Sequence, residues 1–261
     1  MSPVQRHQLQ KAALAGLTMV AALGSDPLVA QSSATEPRPQ SAPVLQPFGA
    51  DYEVRVDGSD AGESRIELLN AQPGLLQHRV HALGTRGLAK LARFSTDQSA
   101  ELRISGGDVQ LVSAKMSASS LFRDRDLSVQ FDWNNRQLLW DGDVDKNQPR
   151  SRPIEGIPAT GSSLNLQLGL AALSQPTGQQ LEYVLHDRGK ASVLDYTIGP
   201  AESIEVPAGR FRAIPVRGER PEKQRIITAW YAEGLPPTPV RVLQTEKGKA
   251  KFELRLKRVE S

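Results

Sequence analysis

From residue 48 onward, apolar and polar side chains alternate along the chain. In 50–56 (ADYEVRV), Ala50, Tyr52, Val54 and Val56 fall on one side and Asp51, Glu53 and Arg55 on the other. In 62–68 (GESRIEL), Ile66 and Leu68 oppose Glu63, Arg65 and Glu67; in 99–104 (SAELRI), Ala100, Leu102 and Ile104 oppose Ser99, Glu101 and Arg103. Near the C-terminus, 249–257 (KAKFELRLK) sets Phe252, Leu254 and Leu256 against Lys249, Lys251, Glu253, Arg255 and Lys257. A period of two means strands with one dry and one wet face. It also marks an antiparallel sheet, because parallel strands covered on both faces read as continuous apolar runs. Turn-forming stretches at 56–62, 72–74, 105–108 and 246–249 separate these segments.

Residues 127–142 (LSVQFDWNNRQLLWDG) predict a hairpin with Asn134-Asn135 as its two-residue turn. Trp133 then pairs with Arg136, Phe131 with Leu138 and Val129 with Trp140, which puts the apolar residues on one face. The stretch 202–217 (ESIEVPAGRFRAIPVR) alternates, breaks at Pro207-Ala208-Gly209 and resumes at Phe211. Pro207 brings no backbone donor and Gly209 tolerates positive φ, so this corner reads as a bulge or tight hairpin rather than a site.

One segment departs from the pattern. In 161–174 (GSSLNLQLGLAALS), Leu164, Leu168 and Ala171 recur at helical spacing while Leu166, Leu170 and Leu173 occupy the other side. A helix apolar nearly all round must be buried, and Ser162 or Ser163 is placed to cap it; Gly169 and the alternating start leave a strand as the alternative reading. Many one-sided antiparallel strands with a single apolar helix predict an all-β fold. We expect a curved, incompletely closed β-barrel or half-barrel of about ten to twelve strands, the helix near 161–174 lying on its concave side.

Composition changes the picture at the N-terminus. Arg6 and Lys11 precede an uncharged apolar run at 12–23, Gly24 and Pro27 break it, and 28–30 (LVA) ends on a small residue. That is the three-part pattern of an export signal, with cleavage expected near Ala30 and a periplasmic location. Twelve apolar residues are short for a membrane span, so none is expected in the mature chain. Residues 31–47, rich in Ser, Pro and Gln, read as a flexible tether, leaving 48–258 as a single β-rich domain. The chain has no cysteine, which removes disulfides, thiolate metal sites and cysteine nucleophiles. Its net charge of +3 is small and interspersed, against a nucleic-acid-binding face.

Candidate chemistry is thin. His7 belongs to the signal; His78 and His81 lie three apart on a strand and point to opposite faces. His186 adjoins Asp187, but no Gly-x-Ser-x-Gly elbow occurs to make a hydrolase of them. Asp141, Asp143 and Asp145 alternate as in the first half of a calcium loop. Lys146 and Arg152 then stand where such a loop wants Gly and Glu, so a solvated acidic turn is the better reading. No cofactor is expected.

Several short motifs are shared with a known family. The export-like start, FGADYEVRVDGSDAGE (48–63), PAGRF (207–211) and ITAWYAEGLPPTPVRV (227–242) resemble the exported bacterial family catalogued as Domain of Unknown Function 3108. Tyr52, Gly58, Gly62, Pro207, Gly209, Phe211, Trp230, Pro239, Val240 and Arg241 carry the resemblance, which spans about 48–258. It implies an envelope location and a fold similar to curved half-barrels that carry lipids and lipoproteins, and it implies no activity.

The expected function is therefore a non-enzymatic periplasmic binding or carrier protein for an apolar small molecule or lipid. Its concave face would be lined by Tyr52, Val54, Ile66, Leu102, Phe131, Trp140, Tyr183, Tyr196 and Trp230. The alternative is an envelope scaffold, contacting a protein partner through sheet edges or the Pro-rich 233–241 loop.

Overall fold

The computed structural model describes residues 45–105 and 108–260; the expected signal and most of the tether lie outside the described residues. The chain forms β1 (Phe48–Val56), β2 (Ser59–Gln72), β3 (Leu75–Gly84), α1 (Gly87–Leu91), β4 (Ser95–Ser105), β5 (Asp108–Ser119), β6 (Arg125–Asp132), β7 (Gln137–Gly142), β8 (Ser151–Pro153) and β9 (Pro158–Ala159). There follow α2 (Leu164–Ser174), β10 (Gln180–Asp187), β11 (Lys190–Ile198), β12 (Glu202–Val206), β13 (Gly209–Arg220), β14 (Arg225–Ala232), β15 (Arg241–Glu246) and β16 (Lys249–Glu260).

Among the described residues all sixteen strands belong to one sheet, in the order β8-β7-β6-β5-β4-β3-β2-β1-β16-β15-β14-β13-β11-β10-β9, with β12 paired to β13. Sixteen replaces the ten to twelve expected. The excess comes from short strands: β8 has three residues, β9 two, β12 five and β7 and β15 six each. Such segments are too brief to display a period. Every pairing is antiparallel except β9 with β10.

The ladder does not close on itself. Its two edge strands, β8 and β9, are consecutive in the chain and joined by residues 154–157 alone, so the sheet must curl until its edges come near each other. Polar contacts fasten that seam. Arg152 Nε donates to Gly189 O at 2.5 Å, Asp145 N donates to Arg188 O at 3.0 Å, and Lys190 Nζ pairs with Asp145 Oδ2 at 2.8 Å.

The interior is dry and continuous. Phe48, Tyr52, Ile66, Leu102, Phe131 and Leu254 belong to one buried cluster with Leu164, Leu166 and Leu168 of α2. Side chains from strands far apart in the sheet reach the α2 segment: His78 of β3 bonds Ser162 O through Nδ1, Tyr183 of β10 donates to Gln167 O at 3.4 Å, and Tyr231 of β14 donates to Asn165 O at 2.8 Å. The apolar helix is thus where the sequence put it, inside the sheet. Ser163 does precede α2 but does not cap it. Its hydroxyl instead accepts from Thr160 N at 2.9 Å and donates to Gln167 Oε1 at 3.0 Å.

The β6–β7 register is Phe131 with Leu138 and Val129 with Trp140, as the pattern requires. The turn differs from the expected one. Asp132 and Gln137 are the last pair, positive φ falls on Arg136 (50°), and Trp133 does not pair with Arg136. The cause is the Asp132 carboxylate, which accepts from Asn135 N at 3.1 Å and from Asn135 Nδ2 at 2.7 Å and so sets a longer loop.

Candidate functional site

The motif residues gather in space, but as a latch. Pro207 and Ala208 form a tight hairpin turn between Val206 and Gly209, which are paired, and Gly209 sits at φ 129°. Ala208 N donates to Leu256 O at 2.9 Å, and Leu256 N donates to Val240 O at 3.0 Å. Leu256 is the register partner of Tyr52 on β1. The Tyr52 hydroxyl donates to Pro239 O at 2.9 Å and lies 2.7 Å from Thr238 Oγ1. Val240 N donates to Trp230 O at 2.7 Å, and the Arg241 guanidinium lies 5.3 Å from the Trp230 ring centre. The corner, the Tyr strand and the Pro-Val-Arg stretch therefore hold one another at a single point on β16. Burial of the phenol pushes its pKa above the ordinary range, beyond what the Thr238 hydrogen bond offsets, so Tyr52 serves as a hydrogen-bonding group and not as an acid.

The expected concave lining does not surround one ligand space. Tyr52, Val54, Ile66, Leu102, Phe131, Trp140, Tyr183, Tyr196 and Trp230 are all buried in the common core. The reason is that α2 and the 237–240 loop fill the concave side: a Cβ on Gly169 would come within 2.7 Å of Pro237 O. Of the Pro-rich 233–241 loop, residues 237–240 are buried, while Glu233 and Gly234 are exposed and Leu235, Pro236 and Arg241 are half-buried.

Open space lies instead at one end of the sheet, under α1. A pocket of about 390 Å³ is enclosed by Val54, Val56, Ala61, Ala82, Leu83, Leu88, Ala89, Ala92, Phe94 and Phe252, with Asp57, Asp60 and Arg86 at its margin. Its size falls within the range of small-molecule pockets and its wall is mainly apolar. Local bonds fold α1 over it. Thr85 N and Arg86 N both donate to Ala61 O, at 3.1 and 3.0 Å, and Phe94 N donates to Ala89 O at 3.0 Å. Arg86 Nη1 reaches Asp60 Oδ2 at 2.9 Å across the rim. Gly62, one of the motif residues, permits the close approach: a Cβ there would stand 1.9 Å from Leu83 O. Leu88 and Leu91 of α1 are 58% and 70% exposed, and Leu121 and Phe122 are 55% and 51% exposed. The Leu121 amide ties that turn to α1 by donating to Ala92 O at 2.9 Å. Of the expected ligand-binding residues only Val54 lines this pocket. The signal missed in the sequence is Leu88 and Leu91 at i, i+3 in GLAKL, just after Gly84 and Gly87 interrupt the alternation.

The remaining candidates separate. His78 and His81 point opposite ways, as expected: His78 is buried, while His81 Nδ1 meets Asp97 Oδ1 at 2.5 Å on the outside. Burial holds the His78 imidazole down to about 4 against the opposing pull of its Ser162 bond. Asp187 receives Arg188 Nε at 2.9 Å, and no hydrogen bond joins it to His186. The calcium candidates face different partners. Asp141 is near Arg150 at 3.9 Å, Asp143 Oδ2 accepts from Asp126 N at 2.9 Å, and Asp145 pairs with Lys190 and Arg188. Among the described residues no three metal-ligating side chains are grouped to hold an ion.

One solved structure agrees with this architecture. A β-barrel-like protein of the Domain of Unknown Function DUF1849 from Brucella abortus has a similar structure, with a TM-score of 0.50 at 9% identity, over 83% of this chain and 98% of that one. A protein with a YmcC-like fold from Bacteroides fragilis aligns over 82% of this chain and 95% of its own at 9% identity, with a TM-score of 0.31. No curated protein matches the chain. Residues 51–255 match the family described as Protein of unknown function (DUF3108), and the chain belongs to that family.

Proposed function

We propose that this protein is an exported, non-catalytic binding or carrier protein that takes an apolar ligand into the pocket beneath α1. The observation that carries the proposal is the pocket itself, about 390 Å³ with a mainly apolar wall. The short lid over it shows its leucines to the outside. Apolar surface of that kind is stabilised when a hydrocarbon chain replaces water, by roughly 25 cal/mol for each Å² covered. The export pattern at 1–30 supports an envelope location, where lipids and other apolar molecules must cross an aqueous space.

Titration of the purified domain with N-phenyl-1-naphthylamine, an apolar dye that brightens on leaving water, tests the proposal. Saturable brightening is expected, weakened at least tenfold by Val56→Trp, which fills the pocket, and by Leu88→Ser, which makes the lid polar. Leu139→Ser, at a 48% exposed leucine on β7, serves as control. Dye binding that ignores both pocket variants, or that Leu139→Ser abolishes equally, overturns it.

A further inference from the structure

A second space, small and different in kind, lies inside the sheet on the β4–β7 side. It encloses about 40 Å³ between Gln98 of β4, Trp140 of β7, His186 of β10 and the Thr160–Ser162 loop. Ala114, Leu127 and Val129 close it with apolar surface. Gln98, Trp140 and His186 are 6%, 6% and 2% exposed. Gln98 Nε2, Trp140 Nε1 and both ring nitrogens of His186 have no hydrogen-bond partner among the protein's atoms. Buried polar groups are nearly always bonded, and leaving one unbonded carries a penalty. Three such side chains, from β4, β7 and β10, border this one space.

We infer that this cavity is a built site for hydrogen-bond-accepting oxygen, supplied by a small carboxylate or by ordered water. The chemistry of the donors fixes the class. An indole N–H donates only, a primary amide nitrogen donates twice, and a neutral imidazole donates once and accepts once. Burial, reinforced by the Arg152 charge, holds the His186 ring down to about 4, so it is neutral at ordinary pH. The unbonded Trp140 Nε1 and Gln98 Nε2 are donors and call for oxygen lone pairs; Asp187 and the hydroxyls of Ser128, Thr160 and Ser162 also line the space. The volume suits a group of that size: one water needs about 10–15 Å³ of such space. His186 is held edge-on against Phe131, with ring centres 6.2 Å apart, so its nitrogens are presented from a fixed direction. This site is independent of the apolar pocket under α1.

NMR on the ¹⁵N-labelled domain decides. Its three tryptophans give three indole signals, of which Trp140 is identified by its loss in Trp140→Phe. Sodium acetate is titrated against sodium chloride at equal ionic strength. A saturable shift of the Trp140 indole and the His186 ring, absent in Gln98→Leu, identifies a carboxylate site. No acetate response, but a water-to-Trp140 indole cross-peak of the sign shown by long-lived bound water, identifies ordered water. Either result supports the inference; the absence of both signals overturns it. Stability gives a reading that does not depend on assignment. Gln98→Leu and His186→Phe lower the melting temperature if their groups hold an occupant, and raise it if they are merely unpaired; a rise in both overturns the inference.

Discussion

The hydroxyl of Tyr52 and the carbonyl of Pro239, 187 positions apart in the chain, share a 2.9 Å hydrogen bond in the interior. That bond links the first strand to the loop before β15, and it explains why a tyrosine rather than a phenylalanine stands at the centre of an otherwise apolar face. Tyr52→Phe strands the Pro239 carbonyl and unsettles the Thr238 hydroxyl, both buried. A loss of about 1–3 kcal/mol is expected by urea denaturation. Thr238→Val costs a similar amount, and the double variant costs less than the two singles together because they remove one network. Strict additivity would mean that the latch does not act as a unit.

How much of this was legible in the sequence depends on length and on partner. Long strands such as β1 and β16 declared themselves through the alternation of Tyr52, Val54, Leu254 and Leu256 with charged residues, and the buried helix through leucines on all sides. Strand β10 did not, because Tyr183, Val184, Leu185 and His186 are all buried and leave no period. The family-like motifs were visible as letters, but their meeting at Leu256 was not, since backbone bonds between distant segments leave no mark on side-chain pattern. The pocket escaped for a related reason: one face of alternating residues predicts burial, and cannot say whether a helix or a ligand provides it. The orphaned polar groups of Gln98, Trp140 and His186 were equally invisible, because only the curl of the sheet brings them together.

Gly169 tests how tightly α2 is seated. Alanine favours helix over glycine by about 1 kcal/mol, so propensity alone predicts a gain from Gly169→Ala. The added Cβ would lie 2.7 Å from Pro237 O and 2.9 Å from Tyr231 Cδ1, and backbone cannot move aside as a flexible side chain can. Overpacking of this kind costs about 1–3 kcal/mol. A lower melting temperature is expected, and a stabilised variant would show that the helix is free to lift from the loop.

Acid should weaken the fold before carboxylates protonate. His78 and His186 are both held near 4 by burial, against about 6.5 in an unfolded chain. Above pH 6.5 they are neutral in both states and contribute no pH dependence. Between 6.5 and 4 the unfolded chain binds protons that the folded one refuses, so stability falls as pH falls, by on the order of 3 kcal/mol for each ring at the acid end. Asp187, whose carboxyl burial raises in spite of Arg188, works in the opposite sense nearer the acid end. Urea midpoints measured from pH 7.5 to 4.5 should decline, and the decline should be shallower in His78→Gln. A flat profile would mean that both rings gain protons in the folded state.

Asp145 tests whether the seam between the sheet's edges is held by charge. Its carboxylate meets Lys190 Nζ at 2.8 Å and Arg188 Nη1 at 3.7 Å, and the Arg188 side chain is only 8% exposed. Burial alone would raise the Asp145 pKa, but the Lys190 hydrogen bond and the cationic charges outweigh it and hold the group below the usual carboxylate range. Its contribution is therefore present above that range and lost as pH falls through the folded pKa. Asp145→Asn leaves a nearly buried guanidinium with Asp187 as its remaining carboxylate partner, at 2.9 Å. The expected cost lies between that of an exposed pair, up to about 1 kcal/mol, and that of breaking a buried one, about 3–5 kcal/mol. The position of the effect is the sharper test. Hydrogen exchange should quicken at the amide that bridges the seam, Asp145 to Arg188 O, while the Leu256 amide in the latch keeps its protection. Uniform quickening across the sheet would show instead that the edges are not a separately opening unit.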